Sequence, residues 1–84
     1  MFDLDRARGT IQAHRGPYVL LGMRPGKKPG FHTSEWLKGA VGKAEALDEA
    51  LALLRDSRDT WESMALWSEP EGCHVYTIRK GEIA

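Results

Sequence analysis

The stretch Gly16-Pro17-Tyr18-Val19-Leu20-Leu21-Gly22-Met23-Arg24-Pro25-Gly26 decides how the chain is read. Its apolar centre, Tyr18 to Met23, is short and bounded by a glycine-proline pair on each side, which predicts a strand rather than a helix. Sorted by parity, this strand shows Tyr18, Leu20 and Gly22 on one side and Val19, Leu21 and Met23 on the other. A half-solvated antiparallel sheet alternates apolar with polar residues, and this strand does not. Both of its faces call for cover.

Working towards the N-terminus, Asp3 can cap a helix that carries Leu4, Ala7, Ile11 and His14 at helical spacing and stops at Gly16-Pro17. Gly9 and Thr10 weaken that helix by about 1 kcal/mol or more together. A strand over Thr10 to His14 is therefore the alternative within residues 3–15. Towards the C-terminus, Arg24 to Gly30 reads as a basic loop, because its two prolines lack N–H donors and its glycines favour turns. Phe31 to Leu37 reads as a second strand hairpinned to the first. The alternative is a helix capped by Ser34, since Leu37, Ala40, Ala44, Leu47, Leu51 and Leu54 follow at spacings of three and four. Gly39 and Gly42 penalise a continuous helix by about 2 kcal/mol, which favours a strand and then a break.

The best-supported helix runs from Ala44 to Asp56, about 43–57 at its widest. Leu47, Leu51 and Leu54 form its apolar stripe, Glu45, Asp48 and Glu49 lie near its N-terminus, and Arg55 lies near its C-terminus. Trp61 to Trp67 and His74 to Arg79 then read as two strands joined by Ser68-Glu69-Pro70-Glu71-Gly72. The third strand sorts into Trp61, Ser63, Ala65 and Trp67 against Glu62, Met64 and Leu66. The last sorts into Cys73, Val75 and Thr77 against His74, Tyr76 and Ile78. The fold class is α+β: a small antiparallel sheet of three to four strands, one main helix and an N-terminal helix. At 84 residues the chain reads as a single domain, residues 1–84. One main helix covers one face of such a sheet, so the other face is expected to meet the N-terminal helix, a second copy or a partner.

Twelve Lys/Arg balance twelve Asp/Glu. The balance hides a split: residues 1–43 hold eight basic and three acidic residues, and residues 44–84 hold four and nine. Opposite halves of a small domain attract one another within the fold; a basic face built by the first half is the sharper alternative. No apolar run approaches the roughly 20 residues of a membrane helix, and the acidic opening Met1-Phe2-Asp3-Leu4-Asp5 does not look like a secretory signal. Cys73, the single cysteine, argues for a reducing compartment, so a cytoplasmic location is expected.

The residues that carry chemistry form no known motif. Cys73 and His74 are neighbours, but on a strand they point to opposite faces and cannot act as a thiolate and its base. His14, His32, Cys73 and His74 match no zinc-ligand spacing, so neither a metal nor a cofactor is expected. Gly22 to Lys28 fails as a phosphate loop, because Lys28 stands where a Ser or Thr must hold magnesium. Glu69 and Glu71 read as solvated turn residues.

What remains is binding. The aromatic anchors Tyr18, Trp36, Trp61 and Trp67, with the cations Arg24, Lys27 and Lys28, are the candidate contact residues. The expected function is a non-enzymatic protein-interaction module that binds or occludes a surface of a larger assembly, or pairs with a second copy as a homodimer. In size and lack of chemistry, though in no motif, it is analogous to phage-encoded anti-defence inhibitors of the anti-CRISPR kind. The alternatives are a small nucleic-acid-binding domain using the basic loop, with Phe31 and Trp36 stacking on bases, and an enzyme completed by a second subunit.

Overall fold

The computed structural model describes residues 2–26, 32–56 and 61–83, with His32, Thr33 and Asp56 described by their backbone alone. The elements run α1 (Leu4–Gln12), β1 (Tyr18–Pro25), β2 (His32–Val41), α2 (Ala46–Asp56), β3 (Ser63–Ser68), β4 (Cys73–Arg79) and the terminal turn α3 (Lys80–Ile83). The four strands form one antiparallel sheet in the order β2-β1-β3-β4. The stretch that opens the reading is thus an interior strand, paired on both edges, as its lack of a polar face requires.

Local signals account for the ends of these elements. Asp3, extended at φ −99°, accepts the Arg6 N–H at 3.0 Å and caps α1. At the other end of α1, Lys43 donates to the Gln12 carbonyl at 2.6 Å, a cation on the negative end of the helix. In α2, Asp48 and Glu49 occupy the first turn and Arg55 the last. The β3–β4 turn closes through Gly72 N–H to Ser68 O at 2.8 Å. Gly72 takes φ +63°, a left-handed conformation that costs glycine nothing.

Across the sheet the register aligns three rows on one face: Tyr18, Ser68 and Cys73; Leu20, Leu66 and Tyr76; Gly22, Met64 and Ile78. Tyr18, Leu20, Leu66, Met64 and Ile78 are fully buried and join Ala7 and Ile11 of α1 and Ala46, Leu47, Ala50, Leu51 and Leu54 of α2 in one continuous core. Burying each large apolar side chain contributes about 1.5–3 kcal/mol relative to exposure. Both helices therefore cover the same face. Tyr18 ties the first of them down, donating its hydroxyl to the Ile11 carbonyl at 2.8 Å.

Several boundaries differ from the sequence expectation. Arg24 and Pro25 belong to β1 rather than to a loop; Pro25 closes the strand, where a missing N–H is tolerated. The rest of the expected basic loop, with Lys27 and Lys28, lies outside the described residues, as does Phe31. β2 extends to Val41, beyond the expected Leu37, with two irregularities in its pairing with β1, one at Leu37 and one at Gly39-Ala40. Ala40 sits at φ +54°, a left-handed position at one of these irregularities. The main helix starts two residues later than expected, after a turn closed by Ala46 N–H to Gly42 O at 2.9 Å.

Trp61 is the largest correction. It precedes β3 instead of opening it, and it packs into the core rather than beside Trp67. The reason lies opposite it in β1. A Cβ on Gly22 would stand 2.6 Å from the Trp61 ring and 2.9 Å from Leu37 Cδ1. Only the bare backbone of glycine admits the indole there, with Arg24 closing over the ring at 5.3 Å from its centroid.

Two expectations test this packing. Gly22→Ala should lower stability by about 1–3 kcal/mol, because a rigid indole must shift; urea melts read the loss, and tryptophan emission should move to the red. Tyr18→Phe should cost only about 0.5–1.5 kcal/mol, since Ile11 O also accepts the His14 N–H. Amide exchange in this variant should rise first in α1.

Candidate functional site

With both helices on one face, neither covers the opposite face of the sheet. Its rows are Val19, Trp67 and His74; Trp36, Leu21, Ala65 and Thr77; Ser34, Met23, Ser63 and Arg79. The expectation that α1 might cover this side is not met. Ala65 is buried, yet it lies outside the contiguous core, consistent with a position on the other side of the sheet. Trp36 is 67% exposed and Trp67 37% exposed, and Val19, Leu21 and Met23 are each partly accessible between them. Trp36 lies against Gly39, where a Cβ would meet its ring at 2.8 Å.

The face therefore carries an apolar, aromatic band across its centre. On β4, Arg79 and His74 stand in the two outer rows with Thr77 between them, His74 shares a hydrogen bond with Thr77 Oγ1 at 2.5 Å, and none of the strand positions in the three rows is acidic. At the Arg79 end the surface deepens into a cleft of about 440 Å³ lined by Met23, Glu62, Ser63, Thr77 and Arg79.

The residues expected to make contacts divide between the two faces. Trp36 and Trp67 come together on the open face. Tyr18 and Trp61 do not join them, because both are core residues with no more than 8% exposure. Arg24 is exposed but lies over the Trp61 ring. The signal that would have separated Trp61 from Trp67 was Gly22, since a glycine inside a strand marks a close approach to that face.

A second group of polar residues gathers at the end of the sheet where α1 stops. Sequence spacing did not suggest it. Glu71, expected to be a solvated turn residue, accepts the Arg15 backbone N–H at 2.6 Å, the His14 Nδ1–H at 3.2 Å and the Ser68 hydroxyl at 3.3 Å. Ser68 is fully buried and is also within 2.7 Å of the Arg15 carbonyl. The Arg15 amide holds the Glu71 carboxyl below its ordinary value; partial desolvation opposes this, and the His14 ring and the Ser68 hydroxyl reinforce it. Cys73 adjoins the same group on the helix side of β4, while His74 faces the open side, so these two neighbours diverge as the strand parity requires. Burial raises the Tyr18 phenol, and Glu71 and Cys73 raise it further.

Comparison with known protein families, curated proteins and solved structures gives no match. Among the described residues no helix is long and apolar enough to cross a membrane.

The depressed Glu71 carboxyl has a pH consequence with a definite sign. Its folded value lies below the ordinary 4.5, so its contribution is complete above 4.5 and is lost as pH falls through the folded value. Glu71→Gln should therefore melt below the wild type at neutral pH. The gap should close on acidification below 4.5, as read by thermal melts across the acid range.

Proposed function

We propose that the chain is a non-enzymatic protein-interaction module whose open sheet face docks on another protein and occludes part of its surface. One observation carries this reading. Two tryptophans, Trp36 and Trp67, stand accessible on the face that neither helix covers, while Tyr18, Leu20, Leu54, Trp61, Met64, Leu66 and Ile78 are gathered in a core on the other side. Contiguous apolar patches bordered by polar groups are where proteins associate, and tryptophan and arginine are the residues that dominate the energetics of such contacts.

The face supplies its own specification for the partner. An apolar protrusion would fill the space between Trp36, Leu21 and Trp67, and a carboxylate would meet Arg79 beside the cleft. Nucleic acid fits less well. Stacking platforms work inside basic grooves, and in the three rows described above the aromatic band is accompanied by one arginine, Arg79, and one histidine, His74. The unpaired Cys73 supports action in a reducing compartment such as the cytoplasm. A second copy of the chain is the competing occupant, because an exposed aromatic band is also suited to an isologous dimer.

The test uses the double variant Trp36→Ser/Trp67→Ser, which removes the exposed rings and leaves the core residues in place. Proteins captured by wild-type bait and purified should bind the variant more weakly by about 2 kcal/mol or more, roughly thirtyfold. Equal binding by both baits overturns the assignment of the face. Sedimentation of the pure chain separates the occupants: a concentration-dependent dimer that the double substitution abolishes assigns the face to a second copy. Retention on single-stranded DNA at low salt, lost in the same variant, replaces the protein partner with nucleic acid.

A further inference from the structure

Beyond the end of α1, His14 meets Glu71 and Cys73, which lie 57 or more residues further along the chain. His14 follows the C-cap, with its backbone N–H on Ile11 O at 3.2 Å. Glu71 lies in the β3–β4 turn, and Cys73 opens β4. One ligand atom from each lies within 4.8 Å of the others. They offer an imidazole nitrogen, a carboxylate oxygen and a sulfur. We propose that His14, Glu71 and Cys73 form a mononuclear site for a thiophilic divalent cation, zinc foremost, with the fourth coordination position turned to solvent.

The donor set selects the class of ion. Magnesium and calcium take oxygen ligands and would leave the imidazole and thiol unused. Zinc accepts nitrogen, oxygen and sulfur together and prefers four ligands in a tetrahedron. Bonds of about 2.0–2.3 Å place tetrahedral ligand atoms roughly 3.3–3.7 Å apart. His14 Nδ1 and Glu71 Oε1 already stand 3.4 Å apart, and the remaining separations, none above 4.8 Å, close with side-chain shifts of about 1 Å.

The supporting shell is in place as well. The Arg15 N–H and the Ser68 hydroxyl both address Glu71 Oε2, whereas Oε1 has only the longer His14 contact at 3.4 Å. The carboxylate is thus held from behind with one oxygen available, which is how outer hydrogen bonds orient a metal ligand. Ser68 itself is anchored in the core. The side chains of His14 and Glu71 are 32% and 33% exposed, so an ion can enter from solvent. Binding would release the thiol proton of Cys73 to solvent, join the end of α1 to the β3–β4 hairpin across 57 residues of sequence, and add its free energy to that of folding. The site lies on the helix side of the sheet and stands independently of the docking face.

Cobalt(II) titrated into the reduced full-length chain is the direct probe. The expected result is a one-to-one complex with a thiolate-to-cobalt charge-transfer band in the near ultraviolet and strong tetrahedral d–d bands, bleached by added zinc. Cys73→Ser should abolish the charge-transfer band. His14→Ala and Glu71→Gln should each weaken zinc binding by more than about tenfold, and Ser68→Ala by about tenfold through the lost orientation of Glu71. His74→Ala, on the opposite face, should leave affinity unchanged. Zinc should also raise the melting temperature of the wild type and not that of Cys73→Ser, a readout that needs only that each protein folds. No charge-transfer band at saturating cobalt overturns the site. So does a band unaffected by His14→Ala and Glu71→Gln, or a stoichiometry of two chains per ion.

Discussion

The hydrogen bond from the buried Tyr18 hydroxyl to the Ile11 carbonyl is a small interaction on which the organisation of this protein turns. It fixes the end of α1 over the same side of the sheet that α2 already covers. Tyr18 begins the interior strand, so the bond joins the first helix to the strand that pairs with both β2 and β3. Ala7 and Ile11 thereby enter the core with Leu20, Leu66 and Leu54. The consequence of this arrangement is that neither α1 nor α2 covers the other face. A fold built from 84 residues has little apolar surface to spare for a second layer.

The two faces consequently carry different chemistry. On the helix side, large apolar side chains interdigitate, and the one close backbone approach, Trp61 over Gly22, allows an indole to fill the space between β1 and the segment entering β3. On the open side, small and medium residues such as Ala65, Ser63 and Thr77 form a floor from which Trp36 and Trp67 rise. On the function proposed above, this floor is the surface that associates with a partner. The polar group of His14, Glu71, Ser68 and Cys73 belongs to neither. It sits at the end of the core, where the exit from α1 runs past the hairpin turn.

Much of this was legible in residue order because it depends on local physics. Asp3 as a cap, Gly16-Pro17 as a stop, the leucine stripe of α2 and the turn residues 68–72 each act over a few residues. The features that escaped depend on distant groups. Ala40 gives no hint of a left-handed conformation, which arises because β2 must bend between its pairing with β1 and the entry to α2. Parity placed Trp61 with Trp67 because it assumed that the strand began two residues earlier than it does. Spacing rules missed His14, Glu71 and Cys73 because such rules describe ligands carried on one hairpin or helix, and these come from a helix end, a turn and a strand start.

By itself, the order of residues determined the α+β class, the existence and type of the main elements, and the fact that β1 has no polar face, because periodicity, capping and turn chemistry are short-range and act wherever those residues occur. Which of the two apolar faces would be covered was decided only in three dimensions. Both choices satisfy the same alternation along β1. They differ only in whether α1 reaches Tyr18, whether Trp61 finds Gly22, and how the helices share the area beneath them.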